Sequence, residues 1–292
     1  MRYQSHTHSG PHCRRRPAMK LLNALSFLID LRMAITVAVW PTFKAVFARP
    51  ILLLKPQEVS RIFMSHVWTS FADGVDEGGS AVKKNLITPN AYGVVLDVGA
   101  GKNHLICSEW LGHTVPYLNR ARITKYVALE PNVLMHSALR VQANKAGYHE
   151  SDGTLTILAS GVEDVQSILS TLSSFQPVDT IITILTLCSI PEPEKNITRM
   201  VHDVLKPEGQ LLMYEHVLSK REDVAWWQRL WAPIWACAFD GCRMDRASDD
   251  IVARIREPGG KESIWQTAET WGKEGEDQEN LFWHAAGRFV KK

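Results

Sequence analysis

Short apolar runs alternate with helical periodicity through the middle of the chain. Five such runs, each apolar or β-branched and bounded by turn residues, predict strands at 93–98 (GVVLDV), 126–130 (YVALE), 154–159 (TLTILA), 178–185 (VDTIITIL) and 210–217 (QLLMYEHV). Helical spacing predicts helices at 132–147, 163–172 and 193–205. Because strands and helices alternate, we expect a mainly parallel sheet with helices on both faces.

The pattern after residue 217 predicts a tryptophan-rich helix and then a return to strands. The helix is expected at 223–240, and terminal strands at Trp265 and 281–290 bring the sheet to seven. Four tryptophans recur at helical spacing in that helix and are expected to form core or pocket walls: Trp226, Trp227, Trp231 and Trp235.

The N-terminal fifth has a different pattern from the rest. Residues 1–19 are polar and predicted to be a disordered tail. Residues 21–54 are the most apolar part of the chain, but charges and two prolines interrupt them, so the longest uncharged window, 33–43, is too short to span a membrane. Residues 20–56 are therefore interpreted either as an apolar helical arm packed on the domain or on a second subunit, or as a membrane-surface anchor. Residues 57–292 are expected to form one domain.

Composition narrows the function classes. Apolar and charged fractions of 45% and 22% are ordinary for a globular chain. A net charge of +2 without a long basic stripe argues against nucleic acid as a partner. The five cysteines are scattered without a CxxC, so we expect a reducing, intracellular environment, no disulfide framework and no zinc or other metal site.

Two neighbouring strands end in residues suited to a nucleotide-like cofactor. The first leads into Asp97, Gly99 and Gly101, and the glycines allow a tight turn and close approach of a ligand to the backbone. A dinucleotide fold would have a further glycine where this chain has His104. The second strand ends at Glu130, which either accepts hydrogen bonds from ribose hydroxyls or serves as a charge at a helix N-terminus.

The third strand leads into the sequence GVED. Glu163 or Asp164 could accept a hydrogen bond from an adenine amino group. The alternative is that both are ordinary acidic residues in the first turn of a helix.

With LDVGAG, ALEPN, GVED, LCSIP, YEHV and FDGC in this order, the chain resembles the class I S-adenosylmethionine (SAM) dependent methyltransferases. It is most similar to the methyltransferase-like protein 7 family of thiol methyltransferases and its fungal relatives, over about residues 90–245. LCSIP, YEHV and FDGC are the most discriminating segments. The resemblance implies a Rossmann-like class I methyltransferase fold with SAM as the cofactor.

The resemblance also assigns residues. It implies that SAM is held by Asp97, Gly99, Gly101 and Glu130, with Glu163 and then Asp164 on the adenine side. It places Leu185, Thr186 and Cys188 at the reaction centre. Asn103 departs from the pattern, because relatives commonly have a third glycine there, and the loop between Lys102 and Arg122 differs too. Animal members carry an apolar N-terminal anchor, which implies the cytoplasmic face of the endoplasmic reticulum or a lipid droplet; the alternative is a cytoplasmic protein.

The implied reaction is methyl transfer to a thiol or hydroxyl of a small lipophilic molecule. Such an in-line displacement needs alignment, exclusion of water and loss of the acceptor's proton. His216 is the first candidate base, against a purely structural role, and Asp240 is the second. Cys188 and Cys242 are expected to be buried apolar residues. The alternatives are a non-catalytic SAM-binding or membrane-tethered scaffold and, disfavoured by His104, a nicotinamide-dependent reductase.

Overall fold

One seven-stranded sheet organises the computed structural model, which describes residues 18–100, 114–172 and 177–292. Its strands are β1 (Gly93–Val98), β2 (Ile123–Leu129), β3 (Leu155–Leu158), β4 (Val178–Ile184), β5 (Leu205–His216), β6 (Trp265–Gly272) and β7 (His284–Lys291). They lie in the order β3-β2-β1-β4-β5-β7-β6. The first five are parallel, whereas β7 runs antiparallel to β5 and β6. The prediction of a mainly parallel seven-stranded sheet is confirmed, with the refinement that the sheet is mixed.

Eight α-helices accompany the sheet in the described residues: α1 (Leu21–Ala24), α2 (Phe27–Ala48), α3 (Pro56–Ile87), α4 (His136–Lys145), α5 (Val165–Leu172), α6 (Pro193–Arg199), α7 (Glu222–Ala238) and α8 (Ser248–Ala253). A π-turn, Met200–Val204, continues α6, and short 3-10 turns occur at Pro50–Leu54, Val115–Tyr117 and Val133–Met135. Most of the polar tail expected at residues 1–19 lies outside the described residues.

The alternation of side chains along each strand divides the core between the two faces of the sheet. Leu96 and Val98 of β1 join Ile168 of α5, Ile197 of α6 and Val252 of α8 on one face. On the other face, Val95 of the same strand joins a cluster to which α3 and α4 contribute Leu86, Ile87, Leu139 and Ala143. The predicted helices on both faces are therefore present.

The N-terminal arm is helical, as predicted, and Pro41 lies inside α2 without ending it. Ala24, Phe27, Ala34 and Ala38 are buried in a third apolar cluster, with α3 and α7. The Trp231 indole donates a hydrogen bond to the Ala24 carbonyl oxygen at 2.9 Å. Residues 21–48 are also long and apolar enough to cross a membrane, by length and composition alone, and an 18-residue window within them has a mean hydropathy of 1.6.

Two helices, α3 and α8, were not predicted from the periodicity. The larger is α3, whose 32 residues include Gly74, Gly78 and Gly79. Glycine in a helix interior costs roughly 1 kcal/mol relative to alanine, so local propensity disfavours this segment. Burial of Val67, Leu86 and Ile87 against the rest of the protein supplies the compensating stabilisation.

Candidate functional site

A cavity of about 500 Å³ opens at the carboxyl ends of the parallel strands. This is where open α/β sheets bind their ligands. Nine residues singled out from the sequence line it: Gly99, Glu130, Glu163, Leu185, Thr186, His216, Trp235, Asp240 and Cys242. Gly101, together with Asn103 and His104, lies outside the described residues.

Gly99 has a backbone conformation that side chains rarely adopt, with φ +70°. A Cβ atom here would lie 2.6 Å from both Cγ2 and Oγ1 of Thr186, and the amide of Gly99 donates to the Leu129 carbonyl oxygen at 2.9 Å. Glycine is therefore required at this turn for both backbone and steric reasons.

Glu130 directly follows β2 and is 7% exposed. Its Oε1 accepts a hydrogen bond from the Asn132 amide at 2.8 Å, and a ring nitrogen of His136 lies 2.8 Å from its carbonyl oxygen. The carboxylate is thus held at the cavity wall by its own turn, in the position where a ribose is bound in related sheet folds.

The structure separates the two acidic residues of the GVED segment. Asp164 Oδ1 accepts a hydrogen bond from the Ser167 amide at 3.1 Å, which is helix capping at the start of α5. Glu163 lines the cavity, and its carboxylate folds back over Gly161, where any Cβ would collide with it. Glu163 is therefore the better placed of the two to meet a ligand.

Asp97 lies behind the cavity and is not among the described residues that line it. It is 3% exposed, and its two oxygens accept hydrogen bonds from the Tyr126 hydroxyl at 2.6 Å and the Thr114 hydroxyl at 3.0 Å. Burial raises the pKa of Asp97 to about 7, against the opposing effect of these two bonds. Asp97 holds β1, β2 and the segment around Thr114 together beneath the glycine turn.

A buried carboxylate fixes the loop that follows β4. Glu215 is fully buried, and its Oε1 and Oε2 accept hydrogen bonds from the amides of Thr186 and Leu187, both at 3.1 Å. Leu185 just before them adopts a left-handed conformation, φ +53°, which costs a non-glycine residue of the order of 1 kcal/mol or more. This loop closes the cavity beside Gly99.

The other end of the cavity is apolar and contains sulfur. Trp235 stacks on Phe239 with ring centroids 3.7 Å apart, and both line the cavity together with Phe282. His216, at the end of β5, is 8% exposed and places Nε2 3.3 Å from Cys242 Sγ. Cys242 Sγ is in turn 3.5 Å from Cys188 Sγ. Sequence spacing gave no indication of this group, because its members are far apart along the chain.

The N-terminal arm and α3 contribute to the same cavity. Asp30 of α2, which breaks the apolar pattern of the arm, lines it, and burial raises the pKa of its carboxyl group. Arg61 of α3 also lines it, and its Nε lies 3.7 Å from Asp240 Oδ1. Asp240 is half-exposed, and the guanidinium of Arg61 is its charged partner.

A second histidine was missed from the sequence. His284 lies opposite His216 in the β5–β7 pairing and also lines the cavity. Its Nδ1 is 2.5 Å from Glu276 Oε1, and its ring stacks on Tyr214. Burial lowers the pKa of His284, against the opposing effect of the Glu276 carboxylate. An acid eight residues before a histidine is no recognised signature, so only the folded hairpin identifies the pair.

Comparisons with known proteins agree with this architecture. No family model matches the chain. The thiol S-methyltransferase TMT1B of Rattus norvegicus is 41% identical over 61 residues, which are 20% of this chain and 25% of that relative. The chain therefore aligns with only a quarter of the length of that relative.

Among solved structures, an O-methyltransferase family protein from Burkholderia thailandensis is similar with a TM-score of 0.52 and 9% identity, covering 86% of this chain and 70% of that one. The carbon methyltransferase CurJ has a TM-score of 0.48 and 14% identity, and the alignment covers 91% of this chain and 69% of CurJ. The similarity to the Burkholderia thailandensis protein shows the fold. The prediction of a Rossmann-like class I methyltransferase fold is confirmed.

The pKa of Asp97 leads to a pH-dependent stability. Because this pKa is about 7 in the folded chain and near 3.8 when unperturbed, the stabilising contribution is fully present below about pH 4 and is lost as the pH rises through about 7. We expect the free energy of unfolding of the wild type, relative to Asp97→Asn, to fall by on the order of 4 kcal/mol across this range. Urea unfolding between pH 4 and pH 8 measures it. Parallel pH profiles for the two proteins would contradict the buried, proton-binding carboxyl group.

Proposed function

We propose that the protein is a SAM-dependent methyltransferase that transfers a methyl group to the thiol of a small apolar molecule. The observation that carries this proposal is that one continuous cavity has two unlike ends. One end is formed by Gly99 and the carboxylates of Glu130 and Glu163, and the other is apolar and contains His216 and Cys242. A donor bound at the first end would direct its methyl group toward an acceptor at the second.

The charges around the cavity suit SAM. Among the described residues, four carboxylates line it, those of Asp30, Glu130, Glu163 and Asp240, against one guanidinium, that of Arg61. SAM carries a positive sulfonium and a positive amino group against a single negative carboxylate, so its net charge is positive and an excess of carboxylates favours its binding. In the proposed complex Glu130 accepts hydrogen bonds from the ribose hydroxyls, and Glu163 lies beside the adenine. Gly99 and Leu185 form the walls between them, and Asp97 supports the turn from behind.

The apolar end suits a lipophilic acceptor. Trp235, Phe239 and Phe282 form its walls, and aromatic walls with a few polar groups are typical of small-molecule sites. A thiol acceptor is supported by the 61-residue similarity to the rat protein whose name describes it as a thiol S-methyltransferase. The protein would align donor and acceptor and keep water out, and the carbon–sulfur bond of the sulfonium would break as the new one forms.

His216 is the proposed catalytic side chain at the acceptor end. It lies at the cavity wall within reach of a bound acceptor, and its Nε2 already contacts a sulfur atom. Its proposed contribution is to favour the deprotonated form of the acceptor thiol, since the thiolate is the nucleophile. Asp240, paired with Arg61, is proposed to shape the entrance rather than to accept a proton.

The N-terminal arm is proposed to serve both the cavity and a membrane surface, with residues 57–292 as the methyltransferase domain. Asp30 faces the cavity, whereas most exposed large apolar side chains of the described residues lie on the arm, among them Leu22, Ile29, Trp40, Phe43, Phe47, Leu53 and Leu54. An apolar face beside the cavity would place the protein on the cytoplasmic side of a membrane that holds its acceptor.

The cofactor assignment is tested by titration calorimetry. Glu130→Ala removes the proposed ribose acceptor, and the loss of charged hydrogen bonds should weaken SAM binding by about 10- to 100-fold. Glu150→Ala is the matched control, because Glu150 is exposed and paired with Arg140 outside the cavity. Equal SAM affinity in the two variants would contradict the proposed role of Glu130, and absence of SAM binding by the wild type would contradict the proposed function.

The reaction is tested with tritiated methyl-SAM and a panel of thiols, phenols and carboxylic acids of matched hydrophobicity. We expect label in the thiols, and His216→Ala should lower turnover by about 100-fold or more while SAM affinity is kept. His202→Ala is the control, because His202 is not among the described residues that line the cavity. Labelling of phenols alone would replace the thiol by a hydroxyl acceptor, and unchanged turnover would remove His216 from the mechanism.

Membrane association is tested by vesicle flotation of the full chain. Trp40, Phe43 and Phe47 form an exposed stacked row on α2, 62%, 56% and 78% exposed. Replacing all three with serine should lower partitioning into phosphatidylcholine vesicles roughly 100-fold or more, since each apolar side chain contributes about 1.5–3 kcal/mol when buried. The control replaces the exposed Val141 and Trp271 of the domain with serine. Wild-type protein that stays unbound would contradict the anchor.

A further inference from the structure

Three metal-ligand side chains from distant parts of the chain meet beside the acceptor end of the cavity. Cys188 lies in the loop after β4, His216 at the end of β5, and Cys242 just after α7. All three are buried, and their ligand atoms lie within 4.8 Å of one another. His216 lies 26 residues and Cys188 54 residues before Cys242, so the fold rather than local spacing brings the two sulfurs and the imidazole nitrogen together.

The spacing of these atoms resembles that of a tetrahedral zinc site. Zinc bonds of about 2.3 Å to sulfur and about 2.0–2.1 Å to nitrogen, set at tetrahedral angles, separate neighbouring ligand atoms by roughly 3.5–3.8 Å. Cys242 Sγ is 3.5 Å from Cys188 Sγ and 3.3 Å from His216 Nε2. Two edges of the triangle therefore need only a few tenths of an ångström of adjustment.

The surroundings hold the three ligands in place. The Arg243 amide donates to the Cys188 carbonyl oxygen at 3.1 Å, and the Cys242 amide to the Phe239 carbonyl oxygen at 2.9 Å. The Arg246 guanidinium donates to the carbonyl oxygens of Leu187 and Ile190, on either side of Cys188. The His216 ring packs edge-on against Phe282. Neighbours that orient the ligands in this way are typical of metal sites.

The site would have one position open to the cavity. Two of the three ligands, His216 and Cys242, line the cavity, so an ion bound by them is accessible from it. Three protein ligands with a fourth position left for water or substrate are typical of catalytic zinc, and two cysteines with one histidine are a known set. Thiolate ligands favour zinc over harder divalent ions.

We infer that Cys188, His216 and Cys242 bind a zinc ion, and that the acceptor thiol occupies its fourth position. The zinc site is independent of the cofactor, whereas the role of the ion in the reaction rests on the proposed function. His216 then acts through the metal rather than as a free base.

The chemistry of this arrangement balances. The thiol S–H bond breaks as the sulfur coordinates the ion, and the proton leaves to solvent, as metal binding by thiols requires. The electron pair of the bound thiolate forms the new S–CH₃ bond. The C–S bond of the sulfonium breaks, and its electron pair stays on the cofactor sulfur. A positive sulfonium and a negative thiolate thus give two neutral thioethers, and the methylated product is a weaker ligand that can leave.

The test uses the full chain, reduced with a phosphine and loaded with Co²⁺ as a spectroscopic substitute for zinc. We expect one ion per chain with thiolate-to-cobalt absorption. Cys188→Ala and Cys242→Ala should each weaken Co²⁺ binding by about 100-fold or more. Cys237→Ala is the matched control, because Cys237 is exposed and outside the group, and it should bind like the wild type. Melting temperatures establish that each variant is folded, and His216→Gln provides a third variant if one of the cysteine variants is not.

A second readout concerns the open position. Adding 2-mercaptoethanol to the cobalt protein should change the ligand-field spectrum, whereas ethylene glycol should leave it unchanged. The inference is overturned if the reduced wild type binds no stoichiometric ion, if the alanine variants bind as the wild type does, or if Cys188 and Cys242 form a disulfide in place of a metal site. SAM calorimetry on the same samples separates the two proposals. Metal binding without SAM binding would contradict the proposed function, and SAM binding without metal binding would contradict the zinc site.

Discussion

The buried carboxylate of Glu215 is the interaction on which the rest of the site depends. Burying a carboxylate costs several kcal/mol unless hydrogen bonds compensate, and here the backbone amides of Thr186 and Leu187 donate to both oxygens. This ties the loop after β4 to the end of β5. The same loop places Thr186 against Gly99 at the glycine end of the cavity and Cys188 against Cys242 at its apolar end. A single constraint therefore sets both ends of the cavity.

The second constraint is the packing of the N-terminal arm. The side chains that face the protein are mostly small, so α2 approaches closely where Ala34 and Ala38 are fully buried. Larger apolar side chains point outward, and the one acidic residue of α2, Asp30, lines the cavity. The Asp30 carboxyl group, one of the charges that interrupt the apolar run, thus faces the cavity, whereas the large apolar side chains of the same helix face outward.

Much of the fold followed from local patterns. The bounds of β1 were predicted as observed, and the other central strands to within a few residues, because a buried strand of a parallel sheet is a short, continuous apolar run. The exception was β5, which begins five residues earlier than predicted, at Leu205, since the turn residues around Gly209 conceal its start. Helix α3 was missed because its glycines and mixed polarity give no clear periodicity. Its stability comes from tertiary burial, which a local pattern does not record.

The sequence by itself determined which polar residues follow which strands. Gly99 and Glu130 could be placed at the site because each lies next to the end of a strand, and parallel strands end at the same edge. Only the tertiary structure put Glu163 in the cavity wall and Asp164 at the start of α5, placed Asp97 behind the cavity, and brought His284 to Glu276 and Cys188 to His216 and Cys242. The physical reason is that these contacts join residues tens of positions apart or depend on side-chain direction. The packing of whole helices and strands sets these contacts and the side-chain directions, and local sequence spacing encodes neither of them.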